Sequence, residues 1–449
     1  MRIITLTFFT LLYITTGIAQ QKEYRFSLEE AINYALENNR MAINAQRDIE
    51  AAKKQKWETT ATGLPKIDAS IEYQNFLKQQ VSLIPAEFFG GEPGTFSEII
   101  FGTKQSASAT ATLKQLLFDG SYLVGLQSAK VFLKISKNAK VKTDLEVRKA
   151  VIEAYGNVLL AEESVLILEK NKNALQKNVD ETEKIYENGL AEEEDLEQLQ
   201  ITLANITSDL NNALRLKDIA YKLFNITLGI DLNVEVEFTE SLENLTVQNI
   251  NQALIEAPFD VESNIDYLIA NNNKRSQELL LKLEKSRALP TLNAFLNGNY
   301  QGFNDEFRFL SREQQWFGSS LLGVTLNIPV FSSLERSART QRAKIELEKA
   351  TTDLTETEQK IKLQLESARS EYQFAIEQYS TSKQNLNLAE RIERKNQIKY
   401  TEGITSSFEL RQAQLQLYAS QQEYLQAMLD VVTKKAALET IFNSRGISK

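Results

Sequence analysis

The 449-residue sequence contains no cysteine and no histidine. Without cysteine there are no disulfides, no thiolate metal sites and no cysteine nucleophile. Without histidine there is no Ser-His-Asp chemistry, no HExxH zinc site and no imidazole relay. Neither GxxxxGK[ST] nor GxGxxG occurs, so no phosphate-cradling loop is expected. Only 17 glycines and 6 prolines punctuate the chain, which favours long uninterrupted elements. A net charge of -9 lacks the clustered Lys and Arg that phosphates require, so no nucleic acid is expected as a partner. No cofactor and no catalytic residues are implied, and the reading is of a non-enzyme.

Long apolar runs are also missing after the first twenty residues. The start, MRIITLTFFTLLYITTGIAQ, has Arg2, an apolar run and small residues at Gly17 and Ala19. That pattern predicts a secretory signal peptide over 1–19. No later stretch is long enough for a membrane helix, so any membrane entry would have to use β-strands.

What the sequence does have is a duplication. KIYENGLAEEEDLEQLQITL parallels IKYTEGITSSFELRQAQLQL at an offset of 214, placing Tyr186 on Tyr400, Gly189 on Gly403 and Leu196 on Leu410. Upstream, LLFDGSYLVGLQSAK parallels IPVFSSLERSARTQRAK, and LPKIDASIEYQ parallels LPTLNAFLNGNYQ. Each half predicts the same order: helix, Leu-Pro, strand, loop, strand, turn, very long helix, tight turn, shorter helix. Pro65 and Pro290 end the preceding helices.

The strands alternate with period two. Ile67, Ala69, Ile71 and Tyr73 share one face; Ala107, Ala109, Ala111 and Leu113 share another, with Ser106, Ser108, Thr110 and Thr112 opposite. One apolar and one small polar face suits a strand between lipid and water. Phe76, Phe101, Tyr300, Phe303, Trp316 and Phe317 fall near strand ends, where interfacial aromatics belong. Residues 81–102 and 302–316 read as long loops.

The helices over 121–186 and 334–400 would each extend about 100 Å, too long for one globule, so they need coiled-coil partners. Length matching pairs 191–224 and 262–288 with the first, and 406–442 and 27–62 with the second. Residues 232–238 alternate like a strand and predict a small mixed belt at mid-helix. The predicted segmentation is 20–63 N-terminal helix, 64–118 first barrel hairpin, 119–228 first tunnel hairpin and 229–260 equatorial segment. It continues with 261–288 tunnel helix, 289–331 second barrel hairpin, 332–442 second tunnel hairpin and 443–449 tail. Four strands cannot close a membrane barrel, so copies must share one: two copies would give eight strands, three would give twelve.

The duplicated layout resembles the TolC-type outer-membrane efflux factor family. The resemblance rests on Leu-Pro before each first strand, LLFDGS and NIPVFSS at the second strands' exits, and the paired YENGL and YTEGI turns. It implies a mainly α chain with membrane β-strands, a homotrimer with a 12-stranded barrel, and an α-helical tunnel reaching from the outer membrane of a Gram-negative-type cell into the periplasm. It also implies a passive duct of a tripartite efflux or type I secretion system, working with a periplasmic adaptor (membrane fusion) protein and an inner-membrane pump of RND, ABC or MFS type. Outer-membrane lipid would surround the barrel.

In that family the hairpin tips dock the adaptor, which points to Tyr186, Gly189, Leu190, Gly403 and Ile404. Aligned on the turn glycine, Glu409 and Gln412 occupy the inward acidic positions of the gate, and Asp195 the first-half acidic position. Tyr400 and Thr405 occupy latch positions. Gln412 is neutral and Thr405 is not basic, a departure from a salt-bridge latch. Acids at 192–194 also suit a helix start, through the macrodipole. An exported coiled-coil structural protein or adhesin is the alternative, but it leaves the hairpins unexplained. The cargo is not legible, although three Met and no His or Cys weigh lightly against a soft-metal conduit.

Overall fold

The structure is a computed structural model and describes residues 24–443. The expected signal peptide lies outside these residues, as does the expected tail beyond Asn443.

The strands of the two halves form one sheet. β2 (Lys66–Asn75), β5 (Gln105–Phe118), β7 (Thr291–Asn304) and β8 (Trp316–Asn327) are antiparallel neighbours in the order β2-β5-β7-β8. The register sorts side chains by polarity. Ile67, Leu113, Leu296 and Leu322 form one cross-sheet row, and Ile71, Ala109, Tyr300 and Gly318 another on the same face. On the opposite face lie Ser70, Thr110, Asn299 and Ser319. There Thr110 Oγ1 donates to Asn299 Oδ1 at 3.1 Å, and Asn297 Nδ2 to Thr112 Oγ1 at 2.8 Å. β2 and β8 are both free edges. Among the described residues no helix is long and apolar enough to cross a membrane.

The first long connection is not simply a loop. It carries a second ladder, β3 (Val81–Pro85) against β4 (Phe96–Ile100), that prolongs the β2–β5 hairpin beyond the sheet. Val81, Ile84, Phe96, Ile99 and Ile100 supply the strand formers, without a clean period of two and separated by the glycine-rich stretch over 90–94.

Helix α3 (Gly120–Glu187) has 68 residues and α7 (Glu335–Thr401) has 67. Asp119 caps α3, its carboxylate accepting from the Ser121 and Tyr122 amides. The start of α7 is irregular. Ser333 and Leu334 take φ of 47° and 64° where the second strand exits, so the turn there is a left-handed one built without glycine. Arg336 steadies it, donating to the carbonyl of Pro329 at 2.9 Å and to Ser332 Oγ at 3.0 Å.

The shorter helices are α1 (Leu28–Asn38), α2 (Arg40–Ala61), α4 (Glu193–Leu228), α5 (Leu242–Asn249), α6 (Ile265–Ser286) and α8 (Ser407–Ile441). The single N-terminal helix expected over 27–62 is two, broken at Asn39. The pairing of short with long helices also differs from length matching. α4 and α2 line α3, whereas α8 and α6 line α7. Two asparagines explain this. The Asn39 side chain caps α2 by accepting from the Met41 amide, while its Nδ2 donates to Thr227 O near the end of α4 at 2.8 Å. Asn264 likewise caps α6 and donates to Ile441 O at the end of α8 at 2.8 Å. Each joint satisfies an orphan carbonyl of one helix with the cap of the next.

The largest core lies at mid-helix, where Tyr155, Phe224, Leu228, Tyr372, Val431 and Leu438 are wholly buried. A belt wraps it: β1 (Tyr24–Phe26) pairs in parallel with β6 (Val236–Phe238), and α5 packs on α8. The strand expected over 232–238 is thus only its last three residues. The Tyr155 hydroxyl lies 3.2 Å from both Phe26 O and Glu240 Oε2, and Glu240 also accepts from the Leu28 amide at 2.8 Å. Burial first, then the Glu240 charge, pushes the Tyr155 hydroxyl well up, so it stays a donor.

Candidate functional site: the tip of the helical hairpins

Both long helices reverse in the same way. At the first turn Gly189 (φ 73°) donates to Tyr186 O at 2.8 Å and Leu190 to Ile185 O at 3.0 Å. At the second, Gly403 (φ 69°) donates to Tyr400 O at 3.0 Å and Ile404 to Lys399 O at 2.8 Å. This is the paired 5→2 and 6→1 bonding of a Schellman cap, whose left-handed residue favours glycine. A Cβ on either glycine would meet nothing within 4 Å. Leu190 is 80% and Ile404 68% exposed, so each tip is a bare turn with one apolar side chain projecting. Tyr186 is also exposed.

Behind the turns, the two hairpins lie side by side, with α8 against α3 and α4. Polar side chains join them. Asn178 and Gln397 exchange two hydrogen bonds, of 3.0 and 3.1 Å. Thr182 Oγ1 and the Tyr400 hydroxyl are 2.7 Å apart. The Ser407 hydroxyl donates to Asp195 Oδ1. Further from the tip, Asn171 Nδ2 donates to Gln421 Oε1 at 2.8 Å. Burial pushes the Tyr400 hydroxyl up, which keeps it neutral. Burial also pushes Tyr418, about three turns beyond Ser407 on α8, up to about 12.

The anticipated residues divide. Asp195 and Tyr400 both stand at the hairpin interface, though with different partners, Ser407 and Thr182. Thr405 touches neither; its hydroxyl donates to Glu409 one turn on. Glu409 and Gln412 are exposed on α8, away from buried Leu410 and Ala413. Ser406 caps that helix through the Glu409 amide. Glu193 and Glu194 are exposed in the first turn of α4, as a dipole-compensating start requires, whereas Asp195 is half-buried.

Sequence reasoning overlooked Asn171, Asn178, Thr182, Gln397 and Ser407. A signal was present: Asn171, Leu175, Asn178 and Thr182 step by 4, 3 and 4 along α3, and all four are buried. Polar residues on an otherwise apolar helical stripe need partners on the facing helix, and so fix its register. None of the described residues form a cluster of His, Cys, Asp and Glu able to hold a metal.

A sheet with one apolar face and two free edges, carried on duplicated helical hairpins with matching tips, defines a channel subunit. The sequence profile of the outer membrane efflux protein family matches residues 31–223 and 273–444. The chain belongs to that family, whose members are channels of the outer membrane. The stretch between the two matched segments contains β6 and α5 of the belt. In fold the chain is similar to the CmeC outer membrane channel of Campylobacter jejuni, with a TM-score of 0.72 and 17% identity over 93% of this chain and 85% of that one. It is similar also to VceC of Vibrio cholerae, with a TM-score of 0.71 and 14% identity over 93% and 96%. The open-state MtrE channel of Neisseria gonorrhoeae gives 0.69 and 16% over 93% and 88%. No curated protein matches the chain in sequence.

Proposed function

We propose that three copies of this chain close one twelve-stranded barrel and form the exit duct of a tripartite efflux or type I secretion system. The observation that carries the reading is the pair of free edges. β2 and β8 run in opposite directions, so β8 of one copy can extend the antiparallel sheet onto β2 of the next. In lipid an unpaired edge is untenable, so pairing must continue until it closes. Three copies of four strands give a barrel wide enough for a lumen, which the Ser, Thr, Asn and Gln rows would line.

At the other end, the tip is read as a gate. Glu409 and Gln412 would face the pore, and Asp195 and Tyr400 would hold the two hairpins together, with Thr405 positioning Glu409. The exposed turns at Tyr186, Gly189, Leu190, Gly403 and Ile404 are suited to dock a periplasmic adaptor, with an inner-membrane pump of RND, ABC or MFS type behind it. Adaptor binding would shift a two-state equilibrium of packed helices.

The purified chain in detergent should have the mass of a trimer and give narrow, mostly closed channels in planar bilayers. A Gly403→Trp variant, whose Cβ meets no neighbour although its left-handed φ strains the turn, should keep that trimer but lose crosslinking to its adaptor. A monomer without channel activity would defeat the proposal.

A further inference from the structure

The turn between β7 and β8 does not stand up from the sheet; it folds back onto it. Ala107 and Gly302 are small, neighbouring and buried, between Tyr73 on β2 and Trp316 on β8. The Phe309 ring packs against the two aromatic ends of this row, and it is only 8% exposed. Its centroid lies 5.9 Å from Tyr73, 5.8 Å from Phe307 and 6.3 Å from Trp316. The Gln314 side chain ties the loop down, donating to Phe303 O at 3.3 Å and accepting from Asn304 Nδ2 at 3.1 Å. The Asp305 carboxylate accepts from the Lys104 amide at 2.9 Å, and Arg308 pairs with Glu306 through two bonds of 3.0 and 2.7 Å.

The face on which the loop lies is the apolar one, in line with Ile71, Tyr300 and Leu322. From the pinned loop Leu310 projects, 91% exposed, beside Phe307 at 61%. We propose that residues 305–315 form a foot that rests in the outer leaflet, with Leu310 and Phe307 at the boundary between acyl chains and headgroups. The occupant of this surface is membrane lipid, because the surface is continuous with the wall that lipid covers. Paired charges suit that depth: Arg308 and Glu306 satisfy each other there, and amphipathic and aromatic residues gather at such boundaries. Phe309 is the wedge that holds the foot down.

This inference rests on the reading of the sheet as a membrane barrel, and the experiment separates the two. The chain has no cysteine, so single-site spin labels need no background changes. Labels at Leu310→Cys, at Leu322→Cys in mid-wall and at Glu92→Cys on the outer hairpin are compared in the assembled channel in lipid nanodiscs. Collision rates with oxygen and with a water-soluble nickel chelate give their depths. The label at 310 should collide several-fold more with oxygen than with the chelate, at a shallower depth than the label at 322. Adding Phe309→Ala should release the foot and raise chelate collisions at 310 toward those at 92. A water-like label at 310 would overturn the inference. So would one shielded from both reagents and broadened by a neighbouring label, since another copy would then cover it. A water-exposed label at 322 would instead refute the barrel.

Discussion

Single residues carry the sharpest tests. If Glu409 faces the pore, three copies put three carboxylates around one axis. Glu409→Ala should then lower cation preference and change conductance in bilayer recordings while leaving the trimer intact; unchanged selectivity would remove it from the gate. At the exit of the second strand, Leu334 holds a left-handed conformation that costs an L-residue about 1–2 kcal/mol. Leu334→Gly should relieve part of this and raise stability by about 1 kcal/mol, read as a higher Tm of the assembled protein. From the sequence, the Ser332–Ser333 pair promised only a turn; the strain and the Arg336 clasp that offsets it depend on backbone angles that residue types do not encode. Tyr418 supplies a pH test. Its folded-state hydroxyl is pushed up to about 12 by burial, while an unfolded tyrosine titrates near 10. Folding therefore keeps a proton that unfolding releases. That stability is complete below about pH 10 and should fall as pH rises from there through about 12. Tyr418→Phe should flatten the decline.

Among elements, the joints between short helices matter as much as the long helices. Asn264→Ala removes both a cap and the donor to Ile441 O, and should cost about 1–3 kcal/mol of stability. A conservative Asn264→Asp keeps the cap but sets a carboxylate against that carbonyl, so it should not rescue. These joints also decided which short helix lines which long one, and length matching could not find them because both pairings fit the count. Helix ends were legible at the turn glycines Gly189 and Gly403, whereas the Asp119 cap shows only in the structure. The break at Asn39 was hidden because apolar residues keep helical spacing across it. At the tip, Ser407→Ala leaves the Asp195 carboxylate without its hydroxyl partner between hairpins. It should raise open probability in bilayers with little change in trimer stability; an unchanged closed state would show that this contact is not a restraint. Aligning the turns singled out Asp195 and Glu409 as gate candidates but not the partners across the hairpins, because those lateral contacts join residues more than 200 apart in sequence.

At the scale of the whole molecule, the duplication sets the architecture and the differences between halves set its behaviour. Both halves give one hairpin to a shared sheet and one helical hairpin to the tip, and both facts were legible from repeated turns and period-two strands. The β3–β4 ladder and the folded-back turn between β7 and β8 were not, because each breaks the repeat. The long helices have a mechanical meaning too. The belt grips α3 at Tyr155, and the tip lies 34 residues beyond at Gly189, an arm of about 50 Å. A rotation of about 10° at that grip would swing the end of such a rigid arm by about 9 Å. If the hairpins pivot there on opening, as the proposed gate requires, the belt would be the fulcrum of a lever whose far end is secured by a few hydrogen bonds. A small force applied at the tip would then act at the full length of the arm.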